Sequence, residues 1–339
     1  MKAVIIDGNG ELEIRNIAIP EPSPFDCLVK IDACAICTGT DNSLINHKFP
    51  FPVQYPSVLG HESTGKIITV GAHVRKFRVG ERVTRPAAIL TGETVSGISS
   101  AWGGFAEYGL VRDVESANKA GVDSDPMLLL SRISLPDDVD PVAAALSINQ
   151  REILSIVFRF GLGANSRVVI VGSGYNGFLF SLFCKYYGAG KVIQIGNPRL
   201  SSIALSGYSA DEYIDYLDEN IISKIDDLTE GVGPTHIIDA VGSDRSLSLC
   251  KNLLSPATAF GCFGLRDFNE TVKLREAVSI SNPALPMDTD EAAIVDDWNR
   301  LFRVGFFRRP GIKVMSIDHV KEAFNVLACH EAIKIVLTI

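Results

Sequence analysis

The chain has 339 residues, of which 46% are hydrophobic and 21% are charged. At about 150 residues per domain this length predicts two domains, and the composition excludes a disordered tail, a collagen-like rod and a small disulfide scaffold. The formal net charge of -8 has the wrong sign for a protein that neutralises nucleic-acid phosphates. We therefore expect no nucleic-acid partner.

Two further features bear on location. No window approaches the roughly 20 apolar residues that cross a bilayer, and residues 1–7 lack a long apolar run with a cleavage site. The seven cysteines, an odd number spread along a long chain, fit a reducing compartment. These features predict a soluble, cytoplasmic protein without a membrane partner.

Short β-rich runs broken by proline-containing turns fill the first hundred residues, which is typical of an irregular all-β domain. The predicted strands are Ala3–Ile6, Leu12–Arg15, Cys27–Ala35, Gly65–Val70 and Arg82–Thr84. A long helical stretch then opens at Pro141 and ends at Gly161. We place the start of a second domain near this helix.

The second half alternates apolar strands with helix-length segments, a pattern that predicts a parallel sheet covered by helices on both faces. The predicted strands are Arg167–Val171, Lys191–Ile195, His236–Val241 and Thr258–Phe263, and the first crossover helix is Asn176–Tyr187. Helices at Thr289–Arg303 and Ile317–Ala328 and a strand at Ile333–Ile339 complete the predicted α/β chain.

A glycine-rich turn joins the first parallel strand to its helix. In a G-x-G-x-x-G turn, Gly172 permits the tight bend, Gly174 lets the backbone approach a pyrophosphate, and Gly177 lets the helix pack on the strand. The helix N-terminus then presents free N–H groups to the anion. The strand before and the helix after the motif favour a dinucleotide site over a simple turn. The predicted contacts also include Ser173, Tyr175 and Asn176.

The end of the next strand indicates which dinucleotide is bound. NAD-binding versions carry an acidic side chain there, but this strand ends at Gly196 and continues through Asn197 to Arg199. A carboxylate would repel a 2′-phosphate, whereas Gly196 makes room and Arg199 offers a guanidinium fork. We therefore favour NADP(H) over NAD(H), with Asn197 and Tyr208 as weaker candidates. The alternative is that Arg199 is a solvated arginine at a helix start.

A thiol, an imidazole and a carboxylate occur together in the predicted β-domain. Cys37 precedes the adjacent pair His61 and Glu62, and these three ligand types suit zinc. Cys34-x-x-Cys37 can also be read as a redox pair or half of a zinc ribbon. The sequence has no second CxxC and no thioredoxin-like βαβ unit around this pair, so we take Cys34 as a packed strand cysteine.

Several segments together resemble the medium-chain zinc-dependent alcohol dehydrogenase family. They are PFDCLVKIDACAIC, LGHESTGKIITVGAHVRKFRVGERV, the glycine turn, IGNPR and the closing IKIVLTI. The resemblance covers nearly the whole chain, and IGNPR is most similar to the NADP-dependent bacterial secondary-alcohol branch. It implies a GroES-like catalytic domain over 1–147 and 296–339, a Rossmann domain over 148–295, and a catalytic zinc in the cleft between them.

The resemblance also implies roles for single residues. Cys37 and His61 match the first two zinc ligands, Glu62 matches an acid that is a ligand or near-ligand, and Asp41 matches the acid behind the ligands. Thr40 matches the hydroxyl that relays the substrate proton, although one extra residue after the cysteine leaves Thr38 as an alternative. The nicotinamide amide is expected near Cys262, Phe263 and Gly264, with Val241 lining the same pocket.

Two departures from the family pattern concern the metals. Where relatives carry a further Glu, Asp or Cys ligand, this chain has Ile148, which cannot bind a metal. Its polar neighbours Asn149, Gln150 and Glu152 need a register shift to replace that ligand. The stretch 85–102, where many relatives carry four cysteines, contains none, so we expect no structural zinc.

Three functional hypotheses follow. The leading one is an NADP(H)-dependent, zinc-assisted oxidoreductase acting on a secondary alcohol, a polyol or the matching ketone, as a homodimer or homotetramer by analogy. Ile148 motivates a zinc-free reductase of a conjugated C=C or a quinone. The third, a dinucleotide-binding protein without catalysis, leaves the metal-ligand types without a purpose. Four aromatic residues can line a substrate cleft or pack in the core: Phe49, Phe51, Tyr55 and Trp102.

Overall fold

The computed structural model describes residues 1–50, 52–122, 134–136, 138–205, 209–264, 288–307 and 310–339. By its contacts the chain divides into two compact units, Met1–Ile148 with Ile312–Ile339, and Asn149–Gly311. None of the helices in the described ranges is long and apolar enough to cross a bilayer.

The described strands and helices follow the chain in this order. The strands are β1 Lys2–Ile6, β2 Leu12–Asn16, β3 Asp26–Ala35, β4 Ser57–Val58, β5 Glu62–Val70, β6 Arg82–Thr84, β7 Ser99–Ser100, β8 Tyr108–Arg112, β9 Ser134–Leu135, β10 Arg167–Val171, β11 Lys191–Gly196, β12 Glu212–Asp215, β13 His236–Asp239, β14 Ala259–Cys262, β15 Ile312–Ser316 and β16 Lys334–Thr338. The α-helices are α1 Thr38–Ile45, α2 Val114–Lys119, α3 Pro141–Arg159, α4 Tyr175–Tyr186, α5 Ser201–Ala204, α6 Ile221–Leu228, α7 Asp244–Leu253, α8 Asp288–Arg303 and α9 Val320–Ala328. Short 3-10 turns are Pro198–Leu200 and Ile317–His319.

The first unit contains two sheets. One has the order β2-β1-β4-β7, and the other runs β15-β16-β3-β5-β6-β9, with β8 also paired to β3. Because β3 pairs antiparallel with both β5 and β16, the register places Ala35 beside Glu62 and beside Val336. The end of β3, the start of β5 and the C-terminal strand therefore meet at one place in the sheet.

A buried apolar cluster supports this place. Cys34, Ile36, Leu44 and Leu337 are all fully buried and belong to one core. Cys34, Leu44 and Leu337 lie on β3, α1 and β16, and Ile36 lies just after β3, so they fix the chain on both sides of Cys37. Cys34 is thus a packed strand cysteine, as expected.

In the described residues of the second unit, five parallel strands form a sheet in the order β12-β11-β10-β13-β14. Its strands are continuous apolar runs because parallel strands are covered on both faces; Val168, Val169 and Ile170 are fully buried. The chain moves outward from β10 to β12 and returns to β13 on the other side. This order places a topological switch point at the carboxyl end of β10, where ligands of such sheets bind.

Helix α1 is absent from the sequence-based prediction. Its sequence, TGTDNSLI, contains a glycine and only two apolar residues, so it shows no helical periodicity. Of its residues, Asp41 and Leu44 are buried, and tertiary packing of these two side chains accounts for the helix.

Candidate active site

The first group of candidate residues lies where β3 turns into α1. Cys37 precedes the helix in extended conformation, and its backbone N–H donates a hydrogen bond of 2.8 Å to Asp41 Oδ2. The Cys37 Sγ lies 3.7 Å from Thr40 Oγ1. Thr40 is half-buried, whereas Thr38 is exposed. Asp41 therefore holds the turn that presents Cys37, and Thr40 is the threonine whose hydroxyl reaches the thiol.

His61 and Glu62 enter at the start of β5. The preceding Gly60 has φ +96°, and a Cβ there would lie 2.6 Å from the Phe105 side chain, so only glycine fits. One ligand atom from each of Cys37, His61 and Glu62 can be chosen so that all three lie within 4.8 Å of one another. The structure therefore brings the three predicted metal ligands together.

The donor set fits zinc. Zinc takes a thiolate, an imidazole nitrogen and a carboxylate oxygen at about 2.0–2.3 Å, which sets ligand atoms roughly 3.5 Å apart in a tetrahedron. The side chains of Cys37, His61 and Glu62 would have to close in by about 1 Å to reach this spacing. Three protein ligands leave a fourth position open, which is typical of catalytic zinc.

A buried lysine contacts the same cluster. Lys334 Nζ lies 2.8 Å from Glu62 Oε1 and 2.7 Å from Oε2, and the two side chains are 5% and 1% exposed. The lysine opens β16, which pairs with β3, and β3 in turn pairs with β5 on its other side. Sequence reasoning missed Lys334, although a charge at the start of the apolar strand KIVLT was a usable signal. The lysine offsets the Glu62 charge and favours a near-ligand role for this acid.

Burial dominates the electrostatics of the cluster. It raises the pKa of the Cys37 thiol, and the charge of Glu62 adds to the effect while Lys334 and Thr40 oppose it. Burial also raises the pKa of Asp41 to about 7. Cys37 is thus a thiol at neutral pH on its own, and a divalent cation would favour its thiolate.

An aromatic ring packs against the histidine. The Trp102 ring centroid lies 5.3 Å from that of His61 and 5.5 Å from that of Phe49, edge-on to the latter. Trp102 has φ +67°, a strained conformation for a residue other than glycine. Tyr55 instead donates its hydroxyl to a backbone carbonyl of α1 and packs on the core. Phe51 lies outside the described residues.

In the second unit the glycine turn has the geometry of a phosphate-binding loop. A Cβ on Gly177 would lie 2.1 Å from the Gly172 oxygen, so α4 packs tightly on the turn. A Cβ on Gly174 would meet nothing within 4 Å, and Gly174 is exposed. Ser173 and Asn176 are half-buried. The turn is therefore closed where the helix packs and open where a ligand would approach.

Tyr175 presents only its backbone to this open side. Its side chain is 3% exposed, and its hydroxyl accepts a hydrogen bond of 3.0 Å from Gln150 Nε2. Gln150 in turn accepts one of 3.1 Å from Trp298 Nε1. This buried network, which the sequence did not reveal, uses both the nitrogen and the oxygen of the Gln150 amide in hydrogen bonds within the second unit. Gln150 is thus a poor substitute for the ligand that the family resemblance predicts at the position of Ile148, which is itself buried.

Gly196, at the end of β11, is a glycine for a different physical reason from the one expected. A Cβ on Gly196 would lie 2.3 Å from Ser173 Cβ and 2.6 Å from the Tyr213 hydroxyl, so the packing of these two side chains requires a glycine there. Asn197 caps the next turn by accepting a hydrogen bond from the Arg199 N–H. Arg199 is exposed and free to reach a ligand beside the strand end. Tyr208 lies outside the described residues.

The predicted nicotinamide residues follow β13 and β14. Val241 is 49% exposed, and its side chain would lie 3.1 Å from a Cβ on Gly172. Gly264 approaches Gly242 so closely that neither accepts a side chain. Cys262 is buried at the end of β14, and Phe263 packs edge-on against the Phe180 ring at 5.4 Å. These residues share the carboxyl edge of the sheet with the glycine turn.

Comparison with known proteins shows which proteins this chain is similar to. Residues 23–119 match the alcohol dehydrogenase GroES-like domain. An NADP-dependent isopropanol dehydrogenase from Thermoanaerobacter brockii is 28% identical over 249 residues, which cover 70% of this chain and 68% of that protein. A sorbitol dehydrogenase from Bacillus subtilis is 25% identical over 276 residues, covering 80% and 76% of the two chains.

The solved structures agree in fold. A zinc-binding dehydrogenase from Sinorhizobium meliloti 1021, bound to NADP, superposes with a TM-score of 0.76 at 24% identity, covering 100% of this chain and 99% of that one. The predicted α/β fold class, a GroES-like domain with a Rossmann domain, is confirmed. In sequence and in fold the chain is therefore similar to the medium-chain alcohol dehydrogenases, which are oxidoreductases.

Proposed function

We propose that this protein is an NADP(H)-dependent, zinc-assisted oxidoreductase that interconverts a secondary alcohol or polyol with its ketone. The observation that carries the proposal is the convergence of Cys37, His61 and Glu62 within 4.8 Å. Relatives named isopropanol dehydrogenase and sorbitol dehydrogenase support the substrate class. A dinucleotide-binding protein without catalysis has no use for this cluster.

Cys37 and His61 would hold the metal, with Glu62 as third ligand or near-ligand. When bound, zinc supplies the Lewis acid that lowers the pKa of an alcohol hydroxyl, so that no strong base is needed. Lys334 keeps the Glu62 carboxylate in place. Trp102, itself packed against Phe49, covers one side of His61 with apolar surface and so restricts water there.

Thr40 serves as the proton relay in this proposal. Its hydroxyl contacts Cys37 Sγ and is half-buried, so it lies between the metal ligands and solvent. When bound, the nicotinamide would supply the hydride acceptor for the carbinol carbon, and Thr40 would carry the hydroxyl proton away during oxidation. The reverse reaction returns both to the ketone.

The second unit would bind the dinucleotide. The open face at Gly174 and the N-terminus of α4 fit the pyrophosphate. Arg199, exposed after β11, would bind the 2′-phosphate. Arg199→Ala should weaken NADPH binding about 10–100-fold and leave NADH nearly unchanged. Equal losses for both cofactors contradict the phosphate assignment.

A zinc-free reductase of a conjugated C=C or quinone is the second candidate. Two observations favour it: the buried Ile148 replaces a ligand residue, and Lys334 already neutralises Glu62. Both reduce the negative charge available to hold a cation.

Metal analysis separates the two candidates. We expect about one zinc per chain in the purified protein, and none in Cys37→Ser or His61→Ala. The matched control His319→Ala removes an exposed histidine of the same unit and should retain the metal. The wild type should change nicotinamide absorbance with secondary alcohols and ketones. Metal-free protein that reduces enones or quinones supports the reductase and refutes the zinc proposal.

A further inference from the structure

An arginine and a tyrosine meet at the carboxyl edge of the parallel sheet. Tyr216 directly follows β12, and Arg245 lies in the first turn of α7, which follows β13. The Arg245 guanidinium carbon is 5.2 Å from the centroid of the Tyr216 ring, and Arg245 Nη2 donates a hydrogen bond of 3.0 Å to the Tyr216 carbonyl. In the sheet order, β12 and β13 flank β11 and β10, whose ends carry Gly196 and the glycine turn.

The backbone on both sides of this contact is firmly held. The Tyr216 N–H donates to the Gly196 carbonyl at 3.0 Å, which ties the tyrosine to the end of β11. On the other side, the buried Asp239 accepts hydrogen bonds from the Val241 N–H at 2.9 Å and from the Ser246 hydroxyl at 3.0 Å. The arginine is therefore presented from an ordered turn beside the proposed ribose site.

Among the residues that the structure describes, no carboxylate pairs with the charge of Arg245. Three lysines of the same unit pair with carboxylates: Lys185 with Asp211, Lys191 with Glu212, and Lys224 with Asp218. Within the described ranges, Arg245 has no carboxylate at ion-pair distance and contacts a ring and a carbonyl instead. Its other N–H donors are directed to no described residue, and a guanidinium fork matches a phosphate.

We propose that Arg245, held by Tyr216, is a second binding residue for the adenosine 2′-phosphate, acting with Arg199. This inference rests on the proposed function, because it names a further determinant of the same NADP site. Tyr216 acts as a positioning residue: its ring face and its carbonyl orient the guanidinium.

The test uses two fragments that differ in one phosphate. Binding of 2′,5′-ADP and of 5′-AMP is measured by calorimetry for the full-length wild type, Arg245→Ala, Tyr216→Ala and the control Lys251→Ala. Lys251→Ala removes a positive charge from the same helix, away from the strand ends. We expect Arg245→Ala to weaken 2′,5′-ADP about 10–100-fold and 5′-AMP by less than about twofold. Tyr216→Ala should weaken 2′,5′-ADP about two- to fivefold.

The outcomes separate this inference from the proposed function. A wild type that binds 2′,5′-ADP more tightly than 5′-AMP, with no change in Arg245→Ala, overturns the inference and leaves the NADP assignment standing. Equal losses of both fragments also overturn it, because they indicate contact with adenine or ribose. A wild type that shows no preference for 2′,5′-ADP overturns both. A loss as large in Lys251→Ala shows a general charge effect and overturns the inference.

Discussion

The ion pair between Lys334 and Glu62 offers the sharpest test of the proposed metal site. Both side chains are buried, and the lysine nitrogen lies within 2.8 Å of both carboxylate oxygens. Lys334→Met keeps a long apolar side chain but removes the cation, so it leaves the Glu62 charge buried without a partner. We expect this change to act in opposite directions on folding and on zinc binding.

The magnitudes follow from burial. Removing one partner of a buried pair costs about 3–5 kcal/mol, so metal-free Lys334→Met should lose about that much free energy of unfolding. The freed Glu62 becomes available as a zinc ligand, which should tighten zinc binding. By linkage, each tenfold gain in zinc affinity reduces the loss measured at saturating zinc by about 1.4 kcal/mol.

The assay is urea denaturation of wild type and variant, once with chelator and once with saturating zinc, together with zinc affinity by competition with a chromophoric chelator. The double variant Lys334→Met/Glu62→Gln removes both charges and should recover most of the stability without the gain in zinc affinity. A loss that is identical with zinc and with chelator would refute a metal beside Glu62. A metal-free loss under about 1 kcal/mol would refute the account of the ion pair.

The remaining predictions concern other parts of the chain. Gly174→Ala should change the free energy of unfolding by no more than about 1 kcal/mol yet weaken NADPH binding. Gly177→Ala should instead destabilise the fold, because its Cβ would lie 2.1 Å from a backbone oxygen. Calorimetry measures the cofactor binding of the two variants, and urea denaturation measures their stability. Co²⁺ bound at the proposed site should quench the emission of Trp102, whose ring lies 5.3 Å from the candidate histidine. Burial raises the pKa of Asp26, but the hydrogen bonds and charge of Arg112 outweigh it and leave the pKa below its ordinary value. The ion pair therefore stabilises the fold above about pH 4, and this contribution disappears as the pH falls through the lowered pKa; Arg112→Met should remove this acid sensitivity.

Matched controls accompany these variants. Gly163→Ala, where a Cβ also meets nothing within 4 Å, should affect neither folding nor cofactor. Trp102→Phe should abolish the cobalt-dependent quenching, and quenching that persists would place the metal elsewhere. Acid denaturation that is the same with and without Arg112 would contradict the role of the Asp26 pair.

Several features of the fold could be predicted because their signals are local. The strands β10 and β11 are runs of apolar residues, and the glycine turn with its helix is encoded in ten adjacent residues. Cys37, His61 and Glu62 stand out because a thiol, an imidazole and a carboxylate, three ligand types that suit zinc, occur together in the predicted β-domain. In each case the side chains that carry the signal are close in sequence or belong to one chemical class.

Other features depend on residues far apart in sequence. Lys334 reaches Glu62 through the pairing of three strands, and α1 forms although its own sequence is a weak helix former. Gly196 is required by the packing of Ser173 and Tyr213, a reason that the sequence alone did not suggest.

The order of apolar and polar residues by itself determined the two-part architecture, the parallel sheet and the types of ligand available, because hydrophobic periodicity and turn chemistry act over short stretches. Only the tertiary structure decided which charges neutralise one another: it set the lysine of the last strand against Glu62, and in the described part of the chain it placed no carboxylate at ion-pair distance from Arg245. The reason is physical, since the energy of a charge depends on burial and on partners a few ångströms away, and only the folded chain sets these distances.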